Sequence, residues 1–199
     1  MLKYLTTTML IFLTLQGDAQ NESKHDSLPF QNITEYPTSF SSENMLVRMI
    51  DGLGFRLYWV TDGLREEDLA YRPNPEARSC EETIDHIMGL SVMILNSVKN
   101  LPNTSSGEET SLKSFGEKRK ITLENLFESR QILAAGAVKI EDIKIIFERN
   151  NGFTELPVWN LINGPISDAI WHVGQMVSFR RSSGNPFNSK VNVMMGKRK

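Results

Sequence analysis

The chain is poor in the residues that most often mark a site. It has one cysteine, Cys80, so no disulfide can close within it, and a lone thiol before a helix is more commonly a small buried residue than a reactive one. It has three histidines, His25, His86 and His172, which leaves few candidates for any metal centre. It has no charge of one sign in excess: the net charge is −2 and the isoelectric point about 6.0, so no basic nucleic-acid footprint is present. Beyond the N-terminus no stretch approaches the roughly 20 apolar residues of a membrane-spanning helix. With 199 residues, a single domain with a sizeable core is the expectation.

What is present begins with an N-terminal pattern. Lys3 supplies a positive charge, Leu5 to Leu15 is apolar but softened by Thr6, Thr7, Thr8 and Thr14, and Gly17-Asp18-Ala19 precedes Gln20. This is the layout of a secretory signal peptide over residues 1–19, and it predicts an exported, soluble protein, periplasmic or extracellular. Residues 20–42 are polar and read as an arm or linker. Asn21-Glu22-Ser23, Asn32-Ile33-Thr34 and Asn103-Thr104-Ser105 fit the glycosylation acceptor pattern, which matters only in a host that modifies it. His25 lies in the arm and reads as solvated. Residues 189–199 read as an unstructured basic tail ending Lys197-Arg198-Lys199.

Residues 43–188 carry four helical patterns. The first runs from about Glu43 to Asp62, with Leu46, Met49, Ile50, Leu53, Leu57 and Val60 at spacings of three and four. Arg72-Pro73-Asn74-Pro75 forces an extended connection. Ser79 and Glu82 form a capping box opening a second helix that ends near Asn100. A third spans about Thr122 to Gly136. Ile143–Phe147 and Phe153–Val158, separated by Asn150-Asn151-Gly152, read either as a short hairpin or as irregular chain. The fourth helix opens at Gly164-Pro165 and stops at Gly184. Four long amphipathic helices predict an all-α fold, an antiparallel four-helix bundle with side chains converging in its core.

Asp168 and His172 lie four residues apart on the fourth helix, so both leave one face and can grip one metal ion. A third ligand must come from elsewhere, and His86 is the histidine that remains on a helix. On an inward-facing position it is either a hydrogen-bonded core residue or a ligand. Glu82, one turn earlier, is either a ligand or simply the capping-box residue. Gln175 either orients a group bound near His172 or makes an interhelical hydrogen bond. Arg180 and Arg181 either meet an anionic substrate or complement the helix dipole, the structural role being preferred for Arg181. Trp159 and Trp171 read as core or interface packing.

The ordered words Gly63-Leu64-Arg65-Glu66-Glu67-Asp68-Leu69, Tyr71-Arg72-Pro73, Ala77-Arg78-Ser79, the helix bearing His86, His172-Val173-Gly174-Gln175 and Arg180-Arg181 with Gly184 cover nearly the whole expected mature chain. In this order they resemble the DinB/YfiT-like superfamily of four-helix-bundle metalloenzymes. The resemblance implies a divalent-metal site built by a histidine of the second helix and two histidines at i and i+4 on the fourth. His86 matches the first and His172 the last, while Asp168 stands where the common pattern has His.

Two histidines and one carboxylate suit Zn²⁺, Ni²⁺, Fe²⁺ or Mn²⁺, with open positions for water or a ligand. Asp168 lowers the charge of the site by one and shifts it toward harder metals. The opposite reading is a degenerate site in which Asp168 only hydrogen-bonds His172 or caps the helix start. Members of the resembled family include thiol S-transferases, and others look like hydrolases or isomerases. The resemblance thus implies a metal-dependent hydrolase or transferase acting on a small molecule. The alternative is an exported binding or interaction module without turnover, either form being a possible homodimer.

Overall fold

The computed structural model describes residues 28–33, 36–104 and 113–199. The leader pattern, His25 and Asn21-Glu22-Ser23 lie outside the described residues, as do Thr34 and Ser105 of the other two acceptor tripeptides.

The apolar spacing of the first segment winds into α1, Ser42–Thr61. Ser41 caps it by accepting from the Asn44 amide at 3.2 Å. Leu46, Ile50, Leu53, Leu57 and Val60 are all buried, so the predicted stripe is the core face. Glu66–Ala70 forms a short helix, α2. The next long helix, α3, Cys80–Val98, starts at the predicted capping box: Ser79 accepts from the Glu82 amide at 3.1 Å and Glu82 accepts from the Ser79 amide at 2.7 Å. The fourth helix, α4, spans Phe115–Ala134 rather than starting at Thr122, because Ser114 and Glu117 make another capping box.

The last helical run departs from expectation at its start. Val158–Leu161 (α5), a π turn over Ile162–Ile166, and α6, Ser167–Ser182, follow one another without a break. Gly164-Pro165 therefore sits inside the run instead of opening it. Proline has no N–H to donate, and the wider π turn accommodates its ring. Ser167 Oγ donates to the Ile162 carbonyl at 2.6 Å, satisfying one acceptor within that turn. The run ends at Gly184, which takes a positive φ of 79°.

The expectation of an all-α bundle is corrected. Long helices α1, α3, α4 and α6 do pack on one core, but two sheets are added to them. Lys144–Arg149 (β2) pairs antiparallel with Gly152–Pro157 (β3), and Pro102–Asn103 (β1) joins β2 in parallel. Ile and Phe at β2 favour an extended, half-buried surface, and Ile145 buries against the helices while Asn150-Asn151-Gly152 supplies the turn. Asn103 Nδ2 donates to the Ile146 carbonyl at 3.1 Å and holds β1 on the sheet.

The C-terminal residues are also not a loose tail. Val191–Asn192 (β4) and Lys197–Arg198 (β5) form a two-stranded sheet, with the Arg198 guanidinium 5.2 Å above the Trp59 ring. This end meets the arm, where the Ile33 amide donates to the Gly196 carbonyl at 2.8 Å. Phe30, at φ 72°, is buried over Gly54 and meets Phe127 edge-on at 5.8 Å. A Cβ on Gly54 would lie 2.6 Å from the Phe30 ring, so the arm needs a glycine there. Among the described residues no helix is long and apolar enough to cross a membrane.

Candidate metal centre

The sequence of α6 writes three stripes along one helix. Ala169, Val173, Met176 and Arg180 are buried and face the core. One residue earlier at each turn, Asp168, His172, Gln175 and Phe179 form a second stripe, about 100° round the axis. One residue later, Ile170, Gly174, Val177 and Arg181 line a groove on the other flank. The second stripe borders α3, and α3 buries Ile84 and Ile87 on either side of His86. This leaves His86 half-buried at the edge of α3, facing α6.

The structure brings His86, Asp168 and His172 together, with one potential ligand atom from each lying within 4.8 Å of the others. His86 Nε2 is 3.0 Å from Asp168 Oδ2, and His172 Nε2 is 3.3 Å from Asp168 Oδ1. The two imidazoles meet edge to face with centroids 4.7 Å apart. Side-chain exposure falls from 42% at Asp168 through 29% at His86 to 13% at His172, so the cluster opens to solvent on the carboxylate side. The π turn ends just before Asp168, and helical continuity through Ile166 removes the helix-start capping role. Its carboxylate is committed to the two rings.

The fit to a cation follows from the ring nitrogens. Gln175 Oε1 lies 2.6 Å from His172 Nδ1. With the amide in this orientation Oε1 can only accept, so Nδ1 carries a proton and donates. Nε2 of a neutral ring is then a bare acceptor, and it faces the carboxylate oxygen at 3.3 Å. In that tautomer Nε2 is free to accept or to ligate, and the carboxylate beside it suits a cation shared between them. The hydrogen bond to Nδ1 is also the usual way a ligating imidazole is held in its tautomer and orientation.

The remaining sequence candidates lie elsewhere. Glu82 is engaged as a cap and pairs with Arg72 at 3.2 Å. Arg180 is buried eight residues, or about 12 Å, beyond His172. It donates to the carbonyls of Val60 (3.0 Å), Asp62 (2.7 Å) and Asn185 (2.8 Å) and to Asn185 Oδ1 (2.9 Å), which ties the end of α6 to the end of α1. Trp159 and Trp171 are 70% and 73% exposed, so neither belongs to the core. Cys80 is buried, and desolvation, with the charge of Asp68 behind it, pushes its thiol up to about 12.

Sequence reasoning missed what adjoins the cluster. A cavity of 290 Å³ touches His172 and Gln175 and continues along Phe179 to Pro73, Ala77 and Arg78. No periodicity marks these last three, because they sit in the connection before α3, and only its fold against α6 makes them neighbours. No protein-family model, no curated protein and no solved structure matches the chain.

Proposed function

We propose that this chain is a DinB-like metalloenzyme in which His86, Asp168 and His172 hold one divalent cation. Zn²⁺, Ni²⁺, Fe²⁺ and Mn²⁺ all suit a two-nitrogen, one-carboxylate donor set. The observation that carries the reading is the convergence of the three side chains, one potential ligand atom of each within 4.8 Å of the others, with His172 Nδ1 held by Gln175 at 2.6 Å. A bound divalent ion supplies Lewis-acid chemistry, in the form of an activated water or a held thiolate. The protein's part is to fix His172 through Gln175 and to neutralise charge through Asp168. The reading this supports is a metal-dependent hydrolase or group transferase. If the leader directs export, hydrolysis is favoured over transfer from cytosolic thiols. The exposed Trp159 and Trp171 support a homodimer, since large exposed aromatics are common at interfaces.

The test is elemental analysis of purified protein beside His86→Ala and His172→Ala. Near-stoichiometric metal that disappears in both variants is the expected result. Protein that stays metal-free after incubation with each ion overturns the reading. One observation favours a second reading, a binding module without turnover. Asp168 already bridges the two imidazoles at 3.0 and 3.3 Å, so hydrogen bonds alone can hold the cluster together with no ion.

A further inference from the structure

We propose that the 290 Å³ cavity beside His172 is the substrate pocket of this centre and that it takes a small organic carboxylate, with Arg78 as the anion-binding residue. This deepens the metal reading and rests on it for the pocket's role, though not for its ligand chemistry.

Three observations converge. The first is charge: Arg78 is exposed at the cavity, and among the described residues it makes no hydrogen bond or ion pair. Its neighbour Glu82 is unavailable, being held by the Ser79 amide and Arg72. A planar guanidinium with free donors matches a carboxylate bidentately. The second is the wall. Pro73, Ala77 and Phe179 present carbon to the cavity, and no carboxylate lines it, so an apolar body is accepted and a cation is not favoured. The third is position. Of the three candidate ligands only His172 lines it, beside Gln175, so an occupant held by Arg78 meets the centre through the Gln175 side of that ring. The volume is at the small end of ligand pockets, which limits the occupant to a compact molecule.

Phenylacetate and its neutral analogue phenylacetamide are suitable probes, because they differ in charge at nearly constant shape. Each is titrated calorimetrically into the full protein, metal-free and zinc-loaded, and into Arg78→Gln and His172→Ala. The wild-type protein should bind the anion about tenfold tighter than the amide, the lower end for a charge-assisted hydrogen bond because water also reaches Arg78. Arg78→Gln should abolish that preference while amide binding, circular dichroism and metal content stay unchanged. Metal-free His172→Ala should keep the preference. Equal binding of the two probes, binding of neither, or a preference that survives Arg78→Gln overturns the proposal. The two readings separate: anion preference in a protein that takes no metal sinks only the metal centre, whereas full metal loading with no preference sinks only the pocket.

Discussion

Asp68→Asn should destabilise the fold, and its cost should depend on pH. The Asp68 carboxylate is 1% exposed and accepts from five donors. Arg65 supplies its amide (2.9 Å), Nε (3.0 Å) and a terminal nitrogen (2.9 Å), Ser183 its hydroxyl (2.6 Å), and Asn185 its amide nitrogen (2.6 Å). The Arg65 hydrogen bonds, reinforced by Ser183 and Asn185, outweigh burial and hold this carboxyl far below the usual carboxylate range. An asparagine there turns one oxygen into a donor facing donors. Hydrogen bonds to a charged group are worth about 1.5–3 kcal/mol each, but Arg65 is half exposed and the bonds are not additive, so about 3 kcal/mol is expected in total. For a chain of this size that is a fall of about 6–12 °C in Tm. A group whose folded pKa is depressed stabilises fully above its unfolded pKa, near 3.9, and loses that contribution as pH falls toward the folded value. The gap between wild type and Asp68→Asn should therefore be full at neutral pH and narrow below about pH 4. Urea unfolding followed by circular dichroism across that range measures it. A gap under about 1 kcal/mol, or one constant with pH, refutes the reasoning. Metal content should not change, because the clamp joins α2 to the far end of α6.

Gln175→Ala should weaken metal binding about 10- to 100-fold in a chelator competition while leaving the fold intact, since only the orientation of His172 is released. Gly54→Ala should destabilise by about 1–3 kcal/mol, because the new methyl drives Phe30 off α1, and proteolysis of the arm should accelerate in step. Cys80 should resist a thiol reagent at pH 8 in the native state and react as one thiol per chain in denaturant, since its thiolate forms only near pH 12. Native reactivity at the rate of a free thiol would contradict its burial.

Where carbon forms the core, the elements were readable. The α1 stripe and the Ser79–Glu82 box placed two helices to within a residue or two of their observed bounds. Where polar groups form it, they were not. The first turns of α4 bury Lys118 and Thr122, which show no hydrophobic period. Lys118 is tolerated because Asp85 at 2.8 Å and Glu81 at 3.0 Å meet its ammonium, and Thr122 donates to the Lys118 carbonyl at 2.7 Å. The two carboxylates come from α3, far away in sequence, so no local window reveals them. The same limit hid the arm: Phe30 is one of three aromatics in a segment with no apolar period, and its burial depends on a glycine two dozen positions later. All-α was the wrong class for a related reason. Short strands such as β1 owe their pairing to a distant partner rather than to any period of their own.

The site divides along the same line. Asp168 and His172 were legible because i and i+4 geometry is local to a helix, and it survives even though the helix begins well before Gly164-Pro165. His86 came in because few histidines remained to choose from, while its meeting with Asp168 at 3.0 Å is a tertiary fact. The words that carried the family resemblance turn out to sit mostly away from the cluster. Arg65 and Asp68 of the first word and Arg180 near the last are joined through Ser183 and Asn185 in the clamp, which fixes where α6 ends. A motif can thus be physically demanding without touching the chemistry. Because that clamp and the π turn lie at opposite ends of α6, they set its position along α3 between them, and that register decides whether His172 meets His86. Substitutions in the clamp that shift α6 by even one turn, about 5.4 Å, would part the two rings, whereas those that only loosen it would lower Tm and leave the cluster assembled.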